Sequence, residues 1–266
     1  MDRNDMKHSD QPVAIVTGGA GEGIGHGITE VLCENGWAVV ITDRNKERGE
    51  SMRERMRARG YRIELVVVDV TAPEAPQVTI DAALCAFGWI NGLVNNVGVG
   101  LAKPSGEVSD EEFWALFNVD FMASFRFTRA VLPALCAAGG AIVNIGSVHA
   151  ALNMPKYALY AATKAALEAF TRGVAVDYGK SGVRANIIHP GLVESPQNET
   201  LLAKLYNDPR RWLDDYVRRY QCLGKLVSAR EVGELAAFLL GPKAATITGQ
   251  RIFVDGGTTT LLYSND

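Results

Sequence analysis

An α/β fold built on a parallel sheet is predicted by two observations. Short runs rich in β-branched residues alternate with helical patterns from one end of the chain to the other, the order that βαβ units impose. The first run leads through a glycine-rich turn straight into a helical pattern, as the strand, turn and helix of an opening βαβ unit do. At 266 residues the chain is long for one average domain, but α/β folds of this length are commonly undivided. No linker or repeat interrupts it, so a single domain is expected over residues 12–266 behind a polar tail, residues 1–11.

Seven strands are expected, each an apolar run bounded by turn formers. Residues 13–17 (VAIVT) are the first, followed by the glycines and a helix over 24–34. Residues 38–42 (AVVIT) lead into a charged helix at 46–59, and residues 63–68 into a helix at 76–87 that opens on Pro76. Residues 92–95 precede a long helix over 110–137, and residues 141–145 (AIVNI) precede an Ala-rich helix over 158–178. Residues 184–188 come next, then a helix at 229–240 and a last strand at 251–254. Between the sixth strand and the last helix lies one long irregular stretch, about 192–223, expected to carry short helices and to cover a substrate.

Composition narrows the function classes. With 47% hydrophobic and 21% charged residues and 27 Gly, the chain reads as a soluble globular protein rich in tight turns. A net charge of -3 with no basic patch interleaved with aromatics gives no reason to expect nucleic acid. Cys33, Cys85, Cys136 and Cys222 are far apart and form no CxxC pair, and His8, His26, His149 and His189 lack ligand spacing, so neither a disulfide framework nor a metal is expected. No signal peptide or membrane-length apolar run is present, and the cytoplasm is the expected location.

Two constellations carry chemistry. The turn Thr17-Gly18-Gly19-Ala20-Gly21-Glu22-Gly23-Ile24-Gly25 lets the backbone approach a pyrophosphate, and the helix after it offers free N–H groups and a positive dipole end. No Lys-Ser or Lys-Thr follows, which excludes a phosphate-loop NTPase. Asp43 closes the second strand eighteen residues after Gly25, where a carboxylate accepts hydrogen bonds from an adenine ribose and repels a 2′-phosphate. NAD is the expected cofactor. Arg44, next in the chain, is either solvated or able to neutralise that phosphate. The second constellation is Tyr160 and Lys164, four residues apart on one helical face, with Ser147 thirteen residues before Tyr160. A phenol with a reference pKa of about 10 is a poor base near neutrality, and an ammonium beside its oxygen favours the phenolate. Ser147 then hydrogen-bonds a substrate oxygen while Tyr160 moves the proton.

With Asn95-Asn96-Val97-Gly98, His189-Pro190-Gly191 and Val254-Asp255-Gly256-Gly257 in the same order, the chain resembles the short-chain dehydrogenase/reductase family from about Val13 to Gly257. The resemblance implies a Rossmann-like, doubly wound, seven-stranded parallel sheet with helices on both faces. It also implies a homotetramer assembled through the helices near 110–137 and after Tyr160. It implies pyrophosphate contacts at Gly19, Gly23, Ile24 and Gly25, adenine contacts at Asp69 and Val70, and cofactor contacts at Asn96 and Gly98. Val193 and Ser195 are implied beside the nicotinamide amide, and Tyr160 and Lys164 at its ribose.

Three departures stand out. The glycine turn has one residue more than TGxxxGxG, so Gly18 or Gly19 fills the first slot. Ser195 stands where Thr is usual, keeping the hydroxyl. Asp120 occupies the slot of the family's catalytic Asn, with Asn118 two residues earlier; it either holds a water that links Lys164 to solvent or is an acid facing solvent or Lys164. His149, two residues after Ser147, would face the same side on an extended segment and meet the substrate. Phe121, Phe125, Phe127 and Val131 are expected in core or subunit contacts. Arg218 and Arg219 fit i,i+4 pairs with Asp214 and Asp215, while Arg210 and Arg211 beside Trp212 favour a polar or acidic substrate.

The activity so implied is NAD-dependent interconversion of a secondary alcohol and a ketone, with a sugar, polyol or hydroxy acid as small-molecule substrate. A 3-oxoacyl thioester reductase shares the same motifs. From another class, a dinucleotide-binding regulator without turnover would be expected to have lost Tyr160 or Lys164.

Overall fold

The computed structural model describes residues 11–263; the tail at 1–11 therefore lies, except for Gln11, outside the described residues. Seven parallel strands form one sheet in the order β3-β2-β1-β4-β5-β6-β9. They are β1 (Val13–Thr17), β2 (Ala38–Asp43), β3 (Ile63–Val67), β4 (Gly92–Asn95), β5 (Ala141–Ile145), β6 (Arg184–Pro190) and β9 (Arg251–Val254). Because side chains alternate across a strand, the continuous apolar runs feed two cores. Ala14, Val16, Val39 and Ile41 pack under α1 (Ile24–Glu34), α2 (Lys46–Ala58) and α9 (Ala229–Leu240). Val13, Ile15, Ala38 and Val40 pack under α3 (Ala75–Phe87), α5 (Ala123–Ala138) and α6 (Ala158–Tyr178). The doubly wound sheet with helices on both faces is thus as expected.

The chain winds outward from β1 to β3 and then returns to place β4 on the other side of β1. At that reversal the connections after β1 and β4 lead to helices on opposite faces of the sheet, the switch point at whose carboxyl ends ligands of such sheets bind. A buried chain of side chains sets α6 behind it. Asn95 donates to Thr128 at 3.1 Å and to Asn144 at 2.8 Å, Asn144 donates to Thr171 at 2.8 Å, and Thr171 donates to the Leu167 carbonyl at 2.7 Å.

The single helix expected over 110–137 is instead two. α4 (Asp110–Phe117) opens on a capping box between Ser109 and Glu112, and a π turn, Asn118–Met122, separates it from α5. The reason is Asp120, fully buried, whose carboxylate has partners outside the helix; π turns of this kind recur at functional sites. The irregular stretch holds α7 (Pro196–Leu205) and α8 (Pro209–Tyr220), capped by Ser195 and Asp208. It opens on β7 (Val193–Glu194), which pairs with β8 (Val227–Ser228) beyond its end in a two-stranded ladder the sequence did not predict. In α8, Arg218 meets Asp215 at i,i+3 spacing, 3.3 Å. Among the described residues no helix is long and apolar enough to cross a membrane.

Candidate active site

The glycine turn divides its labour between two adjacent glycines. Gly18 has φ of +65°, a left-handed conformation, and a Cβ there would sit 2.8 Å from Val97. Gly19 faces inward: a Cβ would sit 2.5 Å from Ile41 and 2.8 Å from the Thr29 hydroxyl, which donates to the Gly19 carbonyl at 2.9 Å. The extra residue of the turn therefore places Gly18 against the Asn96–Val97 loop and Gly19 in the packing with β2. Gly25 abuts the Gly18 carbonyl and Asn96, and Asn96 donates to the Thr17 carbonyl at 2.9 Å. Gly23 caps α1 with no side-chain hydrogen bond, and Ile24 begins the helix, so the first-turn N–H groups have no capping side chain. An uncapped helix N-terminus behind a turn with no room for a side chain at Gly18, Gly19 or Gly25 fits a dinucleotide pyrophosphate. Ser195 closes this end, 3.6 Å from where a Gly23 Cβ would be. Val193 is buried in β7, and its carbonyl accepts from Asn198 at 2.7 Å.

At the other end, Asp43 is buried, and the sequence did not anticipate what holds it. Arg48, in the first turns of α2, donates to both carboxylate oxygens at 2.8 to 3.2 Å, and the Asn45 N–H adds 2.9 Å. Arg44 lies close enough to Asp69 to help hold that carboxyl below its usual range, behind the larger effects of the Thr71 hydroxyl and N–H. Asp69 is exposed and Val70 buried beside it.

The expected proton-transfer residues come together across β5 and α6. Ser147 is 7% exposed, and its hydroxyl accepts from the His149 N–H at 3.2 Å. That contact belongs to a 3-10 turn, Val148–Ala150, which corrects the extended segment assumed for His149. The turn still brings the His149 ring to the Tyr160 ring, edge-on at 5.5 Å between centroids. Burial holds His149 below the ordinary histidine range, opposed by its contact with Asn153. Lys164 is 3% exposed, with its Nζ 5.6 Å from the Tyr160 ring centre and 3.5 Å from the Ile145 carbonyl.

Asp120 resolves toward one of its two expected surroundings. It faces Lys164, not solvent: Oδ2 is 3.4 Å from Nζ, Oδ1 accepts from the Val99 N–H at 2.8 Å, and the Thr163 hydroxyl is 3.4 Å from Oδ2. Gly98 lies against the pair, since a Cβ there would meet Nζ at 2.8 Å. Burial pushes the Lys164 ammonium down, but the charges of Asp120 and Tyr160 and the contact with Asp120 together hold it above its ordinary value. The lysine is therefore charged at neutral pH.

Residues outside the expected set also line this region. Tyr157 stacks on His149 at 4.9 Å and meets Tyr160 edge-on at 6.1 Å. Burial, then the phenols of Tyr206 and Tyr160, push Tyr157 up. Trp212 of α8 is sandwiched between Tyr206 at 4.6 Å and Tyr216 at 5.4 Å. Phe127 and Val131 are in the core, and Phe121 and Phe125 pack on Phe170.

A family model described as enoyl-(acyl carrier protein) reductase matches residues 19–259. A tropinone reductase homolog of Arabidopsis thaliana is 34% identical, aligned over 94% of this chain and 93% of its own. Cyclopentanol dehydrogenase of Comamonas sp. is 31% identical over 96% and 99%. The crystal structure of L-sorbose reductase from Gluconobacter frateurii, complexed with NADPH and L-sorbose, superposes with a TM-score of 0.90 at 29% identity, covering 95% of this chain and 98% of that one. With the doubly wound sheet, the glycine turn and the YxxxK helix beside Ser147, these likenesses establish that the chain belongs to the short-chain dehydrogenase/reductase family.

Proposed function

We propose that the protein is an NAD-dependent dehydrogenase interconverting a secondary alcohol and a ketone on a sugar, polyol or alicyclic ring. The observation that carries this reading is the gathering of Ser147, Tyr160 and a charged, buried Lys164 beside a glycine turn shaped for a dinucleotide. Bound there, the dinucleotide supplies a nicotinamide as hydride acceptor or donor. Gly19, Gly23, Ile24 and Gly25 would hold its pyrophosphate, Asp43, Asp69 and Val70 its adenosine half, and Asn96, Gly98, Val193 and Ser195 its nicotinamide half. Tyr160 takes the proton from the substrate hydroxyl, and the Ser147 hydroxyl donates to the substrate oxygen. Lys164 supplies the positive charge that the phenolic oxygen needs as it becomes negative, and also bonds the ribose; Asp120 keeps that ammonium in place.

The walls favour a neutral substrate with C–H faces. His149, Tyr157 and Tyr160 form an aromatic cluster, and the segment over 192–223, in which Tyr206, Trp212 and Tyr216 stack together, serves as a lid. Cyclopentanol and L-sorbose, named for two similar proteins, both match that description. The test is a panel of ring alcohols, sugars, polyols, hydroxy acids and 3-oxoacyl and enoyl thioesters with each cofactor, followed by absorbance of the reduced nicotinamide. Turnover confined to thioesters would overturn the substrate class, and nucleotide binding without turnover would favour a regulator.

Asp43 supports NAD. NADP is the second reading, favoured by Arg48 on the Asp43 carboxylate and by the NADPH in L-sorbose reductase. The expected result is tighter binding of NAD, with Asp43→Ala narrowing the NAD to NADP ratio by about tenfold as repulsion of the 2′-phosphate is relieved. Calorimetric titration of both nucleotides checks this; tighter NADP binding by the unaltered protein would reverse the assignment. Assembly is a separate expectation. Trp114 of α4 is 62% exposed and Val176 of α6 is 79% exposed, apolar surface on the helices proposed to join subunits. A homotetramer is expected by light scattering at micromolar concentration, and a monomer mass would rule it out.

A further inference from the structure

Behind Ser147 lies a buried group that the proton-transfer scheme does not use. His189, at the end of β6, is fully buried, and its Nδ1 accepts the Ser147 N–H at 3.0 Å. The residue before Ser147 is Gly146, and a Cβ there would collide with the His189 ring, so the strand end is shaped to admit the imidazole. On the ring's other side, Nε2 lies 3.2 Å from Oε2 of Glu168, an approach too oblique for a full hydrogen bond. Glu168 follows Lys164 by one turn of α6. Its Oε1 is held by Arg172 at 2.7 Å and Arg251 at 3.5 Å, while Phe253 stacks on the imidazole at 5.1 Å.

We infer that His189, backed by Glu168, is a positioning residue that fixes the Ser147 backbone, and through it the hydroxyl aimed at the substrate oxygen, only while its imidazole is neutral. This rests on the proposed role of Ser147. The tautomer follows from the contacts. An N–H pointing at Nδ1 requires a lone pair there, so the neutral ring carries its proton on Nε2, toward the carboxylate. A second proton would have to go on Nδ1, turning the acceptor into a donor and placing two donors face to face. The 3-10 turn that begins at Ser147 would then lose its anchor on the sheet.

The charged groups facing the ring are Glu168 and Arg172 from α6 and Arg251 from β9; the end of β5 contributes only Gly146 and Ser147. Burial depresses His189 most, Glu168 and the Ser147 backbone oppose it, and Arg251 adds to the depression, leaving the group below its ordinary value. The anchoring is therefore complete above the usual histidine range and is lost as pH falls through the lowered value. Only the acid side of the activity profile is affected.

Two variants and one spectrum test this. His189→Asn offers an oxygen near the place of Nδ1 but cannot titrate; it should keep turnover within about threefold and lose the acid limb of the kcat profile for ketone reduction, the direction in which Tyr160 must carry its proton and sets only the alkaline limb. His189→Leu removes the acceptor and should lower kcat about tenfold at all pH values with little change in KM. In the ligand-free protein, the Ser147 amide nitrogen shift should follow the His189 ring titration, with a midpoint below that of an exposed histidine. Normal kcat in a folded His189→Leu protein, an acid limb that persists in His189→Asn, or a Ser147 amide indifferent to His189 titration would each overturn the inference. Should His189→Leu not fold, the Asn variant and the amide titration still decide it. Because the titration needs no substrate, it can fail while the dehydrogenase reading stands, or succeed when that reading fails.

Discussion

Tyr160→Phe is expected to lower turnover by about 10²-fold or more while leaving NAD affinity nearly unchanged. The substitution deletes one oxygen and nothing else. The ring keeps its edge contacts with His149 at 5.5 Å and Tyr157 at 6.1 Å and its place 5.6 Å from the Lys164 ammonium. Tyr160 is only partly buried, so losing the hydroxyl leaves no costly orphaned cavity, and the thermal midpoint should stay close to that of the unaltered protein. What disappears is the group proposed to take the proton. His149 cannot replace it simply by proximity, since its ring is held by Asn153 and Tyr157. The measurements are kcat with the best alcohol of the panel, NAD binding by titration and a circular dichroism spectrum. Near-normal kcat in a folded Tyr160→Phe protein would put the proton transfer elsewhere.

The strands were legible because the central ones are apolar runs buried on both faces, while the edge strands β3 and β9 are only partly buried but keep β-branched and aromatic residues. The end of β2 moved by one residue, to Asp43, and the end of β3 moved back to Val67. What the sequence did not disclose depends on partners far along the chain. The π turn at Asn118–Met122 consists of residues that an unbroken helix also accepts; it is set by Asp120 meeting Val99 and Lys164, contacts between separate elements. The ladder of β7 with β8 has two residues on each side, too short for any periodicity to register. His189 was visible in His189-Pro190-Gly191, but its pairing with Glu168 depends on how β6 sits against α6. Arg48 did carry a signal: it stands in the first turns of the helix after Asp43, where the chain folds back over the end of β2.

Lys164→Ala is the variant expected to do most damage, and to do it in two separable ways. Lys164 and Asp120 are 3% and 0% exposed and 3.4 Å apart. Removing the lysine leaves a buried carboxylate with the Val99 N–H and the Thr163 hydroxyl as its nearest remaining partners. Breaking a buried pair from one side costs about 3 kcal/mol or more of stability, and turnover should fall at least as far as in Tyr160→Phe, with weaker NAD binding besides. The pH dependence has a definite sign. Lys164 is held above its ordinary value, so its contribution is complete below the unfolded value near 10.4 and is lost only as pH rises through the higher folded one. The deficit of Lys164→Ala should accordingly be constant through neutral pH. Pairing it with Asp120→Asn removes the stranded charge; the double variant should regain at least half of the lost stability in urea unfolding and none of the turnover. Asp120→Asn alone should stay active and shift the pH–rate profile for oxidation toward acid, because the ammonium then has no carboxylate beside it and its charge acts more fully on the Tyr160 oxygen. Recovery of turnover in the double variant would deny the lysine any role at the tyrosine. An unshifted profile in Asp120→Asn would reduce Asp120 to a structural partner of the Val99 backbone.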